Sequence, residues 1–225
     1  MNISKGLILK DLLQLKSYLK TLIVYTAIFI LIGMANQSPD GINIMLIFMI
    51  TFGFGMFTMA SFDYDEKAKA DNYLLTFPLT KKTVVFSRYI LIISATIIGM
   101  IVGILSTIVI CISLNTNVVL PDIAKLLNTA LGSILSVSII EAIQIPCTYK
   151  FGTEKGRIYL LIIVAAITLM LTGLCVIIQN SNLYYSISEF ANFMGGFLPV
   201  VLIFLTAIIY YVSYKFSYQN YENKE

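Results

Sequence analysis

The sequence predicts an all-α, polytopic integral membrane protein with six transmembrane helices, an N-terminal interfacial helix and a short cytoplasmic helix. Three observations support this fold class: 58% of the 225 residues are hydrophobic, only 12% are charged, and the mean hydropathy is +0.88. A soluble globular protein has about 25% charged residues, so a surface of this composition could not face water. The charged residues are clustered, and the apolar stretches between them are long enough to cross a bilayer, which takes roughly 20 residues per helix.

The N-terminal segment, residues 3–20, is predicted to form the interfacial helix. Apolar residues recur in it at i, i+4, i+7 and i+11, namely Ile8, Leu12, Leu15 and Leu19. Lysines that border such a stripe can extend their amines toward lipid headgroups. A simple topology anchor is the alternative interpretation of this segment.

Six apolar windows are predicted to be the transmembrane spans. They cover residues 21–36, 42–62, 89–114, 124–148, 158–179 and 193–214. The connectors 36–41, 115–122 and 179–189 are rich in turn-forming residues and are predicted to share one side of the membrane. Fourteen of the fifteen lysines and arginines fall on the other side, Lys125 being the exception. By the positive-inside rule, that other side and both termini are cytoplasmic.

The cytoplasmic segment 61–90 is predicted to contain a short helix over residues 65–77. Asp63 is placed to cap this helix, with Glu66 three residues on, and Pro78 ends it. A charged helix between two spans has no packing role in the membrane, so we expect its apolar face to contact a cytoplasmic partner. That face comprises Ala70, Tyr73, Leu74 and Phe77. The alternative is a charged loop that only sets the topology.

The third cytoplasmic segment, residues 145–157, is short and too small to hold an active site. Pro146 is predicted to kink the end of the fourth helix, and Gly152 and Gly156 permit a tight turn. Candidate helix contacts come from small residues spaced four apart, which let two backbones approach closely. These pairs are Gly99 with Gly103 in the third span and Gly132 with Ser136 in the fourth.

Glu141 is an acidic residue inside a predicted span. It lies about 13 Å from the inner boundary at Lys150, at a helical rise of about 1.5 Å per residue. A charge at this depth costs on the order of 3 kcal/mol, so the side chain should face protein or water, be paired, or be protonated. Gln144, one turn along, is a candidate hydrogen-bond partner. Three interpretations remain open: a pathway or coupling role, a structural bond to Arg88 or Arg157, and snorkelling.

The composition excludes several classes of function. The chain contains no histidine, so a histidine base, a histidine metal ligand and a histidine-containing catalytic triad are all excluded. The three cysteines, which have neither metal-ligand nor CxxC spacing, are interpreted as buried apolar residues, and no metal site is predicted. A net charge of +3 is too small to indicate a nucleic-acid partner. An intramembrane protease would need a nucleophile and a base or a metal, and Glu141 alone does not supply them, so no enzyme is predicted.

Taken together, the cytoplasmic segments resemble those of a known family. The chain looks like the small membrane subunits of ATP-binding cassette type-2 permeases, as a single permease domain over residues 1–225. The residues that carry the resemblance are KGLILKDLLQLKSYLK, SFDYDEKAKADNYLLTFPLTKKTVVFSRYI and IPCTYKFGTEKGR, on six predicted spans. More narrowly, the chain is similar to the permeases of Gram-positive exporters of phenol-soluble modulins and related peptides.

The resemblance implies a subunit of the cytoplasmic membrane that pairs with a second permease subunit, in a homodimer or heterodimer, and binds a separate cytoplasmic ATPase. Since the sequence has no GxxxxGK[ST] phosphate loop, ATP and Mg²⁺ are expected in that partner and no cofactor in this chain. The implied cargo is an amphipathic or antimicrobial peptide. Export of drugs or ions, and a membrane immunity or sensor protein that does not pump, are the alternatives.

The resemblance also implies roles for particular residues. The 65–77 helix would be the main coupling element that docks on the ATPase. Candidate coupling residues are Asp65, Glu66, Lys67, Lys69, Asp71, Tyr73, Leu74, Phe77, Pro78, Lys150, Phe151, Gly152, Glu154, Lys155 and Arg157. Candidate residues of the translocation pathway are Glu141 and Gln144.

Overall fold

The structure, a computed structural model, describes residues 10, 13, 16–35, 39–68, 80–113, 123–179 and 198–222. This part of the chain is helical. A 3-10 turn at Lys16–Tyr18 precedes the helices α1 (Leu19–Ala35), α2 (Pro39–Lys67), α3 (Lys81–Ser113), α4 (Ile123–Phe151), α5 (Thr153–Gln179) and α6 (Leu198–Glu222).

Four stretches within the described ranges are long and apolar enough to cross a membrane. They are Met45–Lys67, Lys81–Ser113, Leu126–Phe151 and Val200–Glu222. Helix α1 is also apolar but has only 17 residues. The chain is therefore a helical, multi-pass membrane protein, and the number of six spans stays a prediction.

The helices are longer than the predicted spans where the basic residues cluster. Helix α3 starts at Lys81 rather than at 89, and α6 continues to Glu222 rather than ending at 214. A helix need not stop where charge begins, because its backbone hydrogen bonds are internal and charged side chains can reach water beyond the hydrocarbon.

The prediction that Asp63 caps a separate helix is wrong. Helix α2 runs through Asp63 without a break, and Asp65, Glu66 and Lys67 belong to its last turn. Residues 69–79, with the rest of the predicted 65–77 helix, lie outside the described residues. So does most of the predicted interfacial helix.

Helices α2 and α3 pack closely along glycines. A Cβ added at Gly99 would lie 2.7 Å from Phe54 Cβ and 3.1 Å from Thr51 Cα. One at Gly103 would lie 3.2 Å from Ile47 Cα. The predicted contact of this pair is confirmed, since only glycine permits such an approach. At Gly132 an added Cβ would meet no described atom within 4 Å, so the second predicted pair makes no such contact here.

Segments from both ends of the chain meet at one end of the helix bundle. Lys10 Nζ lies 2.8 Å from both carboxylate oxygens of Asp65. Lys81 Nζ donates to the carbonyl of Glu222 at 3.1 Å. We call this the basic end; the ends of α2, α4 and α6 and the starts of α3 and α5 form it. Its composition agrees with the prediction that these segments share one side, while their cytoplasmic orientation stays a prediction.

An aromatic core fills the bundle near the basic end. The Phe62 and Tyr149 ring centroids lie 5.4 Å apart, and Tyr149 packs on Tyr221 at 5.3 Å. Tyr89 contacts Tyr214 at 5.6 Å, so α3 and α6 also meet through aromatic rings. Tyr214 and Tyr221 therefore pack against α3 and α4, which fixes α6 on these two helices.

Candidate functional site

The first candidate site lies at the basic end, where α2 meets the turn between α4 and α5. The Thr153 N–H donates to Glu66 Oε2 at 2.6 Å, at the start of α5. A carboxylate there is favoured by the free amide groups and by the helix dipole. The preceding Gly152 has φ +81°, a left-handed conformation that glycine adopts at little cost. Glu66 on α2 thus caps a helix that begins 87 residues later.

A second ion pair reinforces this cap. Arg157 on α5 binds Asp63 on α2. The two ties enclose a cavity of about 180 Å³, lined by Asp63, Glu66, Lys67, Thr153, Glu154 and Arg157. We call these six residues the junction. The junction joins the last turn of α2 to the first turn of α5, so the ends of these two helices are bonded to each other at this point.

Asp65 ties the same turn of α2 to two further elements. Its carboxylate pairs with Arg88 of α3 and with Lys10 of the N-terminal segment. Arg88 is only 5% exposed, and it also donates to the Ser61 hydroxyl. A buried ion pair is stable only when the remaining donors and acceptors are satisfied, and these extra partners meet that requirement.

Tyr18 of the N-terminal segment also packs against α2. The Tyr18 ring lies 5.7 Å from Tyr64 and 5.6 Å from Phe57, measured between centroids. The hydrogen bond with Tyr64 raises the pKa of Tyr18 above its ordinary value, with a smaller contribution from burial. Tyr18 is therefore a neutral phenol at physiological pH.

Part of the predicted coupling set meets at the basic end. Glu66, Lys67, Glu154 and Arg157 line the junction, and Asp65 and Gly152 adjoin it. Lys150, Phe151 and Lys155 lie on the neighbouring turns of α4 and α5 and are exposed. Lys69, Asp71, Tyr73, Leu74, Phe77 and Pro78 lie outside the described residues. Arg88, which pairs with Asp65, was not among the predicted coupling residues, and no pattern in the sequence pointed to this pair.

The second candidate site surrounds Glu141, in the interior of the bundle. Tyr210 of α6 donates to Glu141 Oε2 at 2.5 Å. Glu141 Oε1 lies against Gly55 of α2, where an added Cβ would overlap it, and the same Cβ would lie 3.1 Å from Thr96 Cγ2 of α3. Four helices thus meet at one carboxyl group that is 1% exposed.

Of the predicted interpretations of Glu141, snorkelling is wrong, and the two partners suggested for a structural bond are not the ones seen. Arg88 and Arg157 bind Asp65 and Asp63 at the basic end, whereas the buried hydrogen bond of Glu141 is with Tyr210. Snorkelling is excluded because the carboxyl is buried inside the bundle. The predicted network with Gln144 is not seen: Gln144 is buried one turn along, but its Oε1 has no hydrogen-bond partner in the described part of the chain.

Polar side chains of α6 connect this site to α3 and α4. The Tyr89 hydroxyl is hydrogen-bonded to Ser213 at 2.6 Å and Ser217 at 2.7 Å. Ser213 in turn donates to the carbonyl of Ala142 at 2.8 Å, next to Glu141. Tyr210, Ser213 and Ser217 recur at i, i+3 and i+7, and this polar stripe was the signal in the sequence that could have identified the buried face of α6.

A cavity of about 400 Å³ adjoins the same site between α3, α4 and α6. Its lining is aliphatic apart from Thr96, Thr206 and Tyr210. Tyr210 therefore contacts both the cavity and the Glu141 carboxyl, and it links a space of ligand size to a buried ionisable group.

The region that matches a known protein family includes both candidate sites. A family model described as ABC-2 family transporter protein matches residues 6–222, nearly the whole chain. No curated protein and no solved structure matches the chain. Members of the matched family are membrane components of ATP-binding cassette transporters. The chain thus belongs to the ABC-2 transporter family.

Proposed function

We propose that this chain is the membrane subunit of an ATP-driven exporter of amphipathic peptides, and that a separate ATPase docks on its basic end. Two such subunits, each with six spans, would form the pathway in the cytoplasmic membrane. The observation that carries the proposal is the junction. It joins two of the three segments that carry the resemblance to a permease, through Glu66 with Thr153 and through Asp63 with Arg157.

The contacts at the basic end suit the transmission of force. A push by the ATPase on the residues after Lys67 would reach α5 through the junction. The same push would reach α3 through Asp65 and Arg88. Glu154 of the junction and the neighbouring Lys155 are exposed and are available to a docking partner. The basic end would therefore act as one unit during the ATPase cycle.

The cavity between α3, α4 and α6 supports an amphipathic cargo. Its aliphatic lining suits the apolar face of a peptide, and a few hydroxyl groups can orient polar atoms. Tyr210 lines the cavity and donates to Glu141, so a cargo bound in the cavity would change the surroundings of the Glu141 carboxyl. Glu141 and Gln144 would then belong to the pathway as residues that respond to cargo, rather than as residues that line an open channel.

Coupling is tested by capture of the ATPase on the tagged permease. Replacing Tyr73 and Leu74 together by Asp places charge on the predicted docking face, and a buried unpaired charge should release the partner. The matched control replaces Tyr184 and Tyr185 by Asp in a connector predicted to lie on the opposite side. We expect loss of capture in the first variant only. Capture at the wild-type level by the first variant would rule out this docking face.

Cargo is tested on the purified permease–ATPase complex. Added amphipathic helical peptides should stimulate ATP turnover, whereas scrambled peptides of equal composition, drugs and ions should not. If only drugs or ions stimulated ATP turnover, the cargo would be a drug or an ion and not a peptide. A chain that protects cells from a peptide but captures no ATPase would instead be an immunity protein.

A further inference from the structure

Two buried oxygens near the middle of α4 lack a hydrogen-bond donor. Glu141 Oε1 and Gln144 Oε1 have no partner among the described residues, although the side chains are only 1% and 3% exposed. At a spacing of i, i+3, they lie one above the other on the same helix face. Buried acceptors without a donor are rare in folded proteins, so this pair of oxygens is missing a donor.

The surroundings of Glu141 make an ionised carboxylate unfavourable. In the described part of the bundle, α2 presents Gly55, α3 presents Thr96 and α6 presents Tyr210, which is the titratable group in contact with the carboxyl. The arginines at the basic end are bound to Asp65 and Asp63. A negative charge on Glu141 would therefore be buried without a cation partner among the described residues, which is costly in protein and in lipid.

We propose that Glu141 and Gln144 form a proton-binding site. A proton on Glu141 Oε1 makes the carboxyl neutral and turns this oxygen into a donor, one helical turn from the Gln144 side chain, while Oε2 continues to accept from Tyr210. One proton thus removes the buried charge and replaces an acceptor that has no described partner by a donor. Glu141 Oε1 packs directly on Gly55, which leaves no room on that side for a hydrated cation.

Binding of the proton is linked to the packing of four helices around it. The proton comes from water and returns to water when the carboxyl ionises, and no other bond changes. Moving Gly55 away from Glu141 would admit water and favour ionisation. By linkage, any step that separates α2 from α4 here would release the proton, and deprotonation would favour the separated state.

The experiment is infrared spectroscopy of the full-length permease alone in lipid nanodiscs at neutral pH, so that neither ATPase nor cargo is needed. We expect a carbonyl band of a protonated carboxyl group in the wild type. The band should disappear in Glu141→Gln and persist in Glu154→Gln, which changes an exposed acid of α5. No such band in the wild type, or an unchanged band in Glu141→Gln, would overturn the proposal.

Further measurements distinguish loss of the proton site from a folding defect and from binding of a metal cation. Glu141→Gln is neutral and similar in size, so it should melt at the wild-type temperature. Gly55→Ala should displace the carboxyl and weaken the band, whereas Gly132→Ala, with open space around it, should not. A melting temperature that rises with Na⁺ or K⁺ in the wild type but not in Glu141→Gln would assign the site to a metal cation and reject the proton.

Discussion

At the scale of single residues, Gly152 combines an unusual backbone conformation with a close neighbour. Its φ is +81°, and an added Cβ would lie 2.7 Å from Glu66 Oε1. Gly152→Ala should therefore lower stability by about 1–3 kcal/mol, through backbone strain and displacement of the carboxylate that caps α5. The measurement is the melting temperature of the purified permease. Gly132→Ala is the control and should not be destabilised; an equal fall in both variants would contradict the explanation.

The ion pair between Asp65 and Arg88 leads to a second prediction at this scale. Arg88→Met keeps much of the side-chain volume but leaves a buried carboxylate with less compensation, so we expect a loss of about 3 kcal/mol. Adding Asp65→Asn should recover part of that loss, because the charge that lost its partner is also removed. Melting temperatures of the two single variants and the double variant measure the coupling. Strictly additive effects would show that the two side chains do not stabilise each other.

At the scale of elements, the contact between α2 and α3 depends on the glycines of α3. A methyl group at Gly99 would overlap Phe54 and press on the backbone at Thr51. Gly99→Ala should therefore separate the two helices and lower the melting temperature by several degrees, the change expected for a loss of about 1–3 kcal/mol from overpacking. Gly132→Ala again serves as the control. A wild-type melting temperature in Gly99→Ala would show that the helices can shift without cost.

The helices could be predicted because a long apolar stretch is a local property of the sequence. Their ends could not. Helix α2 continues past Asp63 in a region where Arg157 and Thr153, from a helix far along the chain, bind its acidic residues. The burial of Glu141 likewise followed from its distance to Lys150, but its partner did not. Tyr210 is 69 residues away, and only the packing of α6 on α4 brings it to the carboxyl.

At the scale of the whole molecule, the segments rich in lysine and arginine lie together at the basic end and contact one another there. Segments that the positive-inside rule assigns to one side also touch one another, as in Lys10 with Asp65 and Lys81 with Glu222. Helices α2 and α4 end there, and α3 and α5 begin there, so consecutive helices alternate in direction. An orientation that holds for one of these segments must hold for all of them.

Because these segments lie at the same end of the bundle, labelling a few single cysteines is enough to test which side of the membrane that end faces. In a background without Cys111, Cys147 and Cys175, Asn117→Cys and Asn182→Cys should react with an impermeant thiol reagent added to intact cells. Lys155→Cys should react only after the membrane is opened. Lys155 suits this purpose because its side chain is exposed. Labelling of Lys155→Cys in intact cells would contradict the predicted orientation of the whole bundle. The junction and the Asp65 ion pairs hold the N-terminal segment, α2, α3 and α5 at the same end, and Lys81 with Glu222 adds α6.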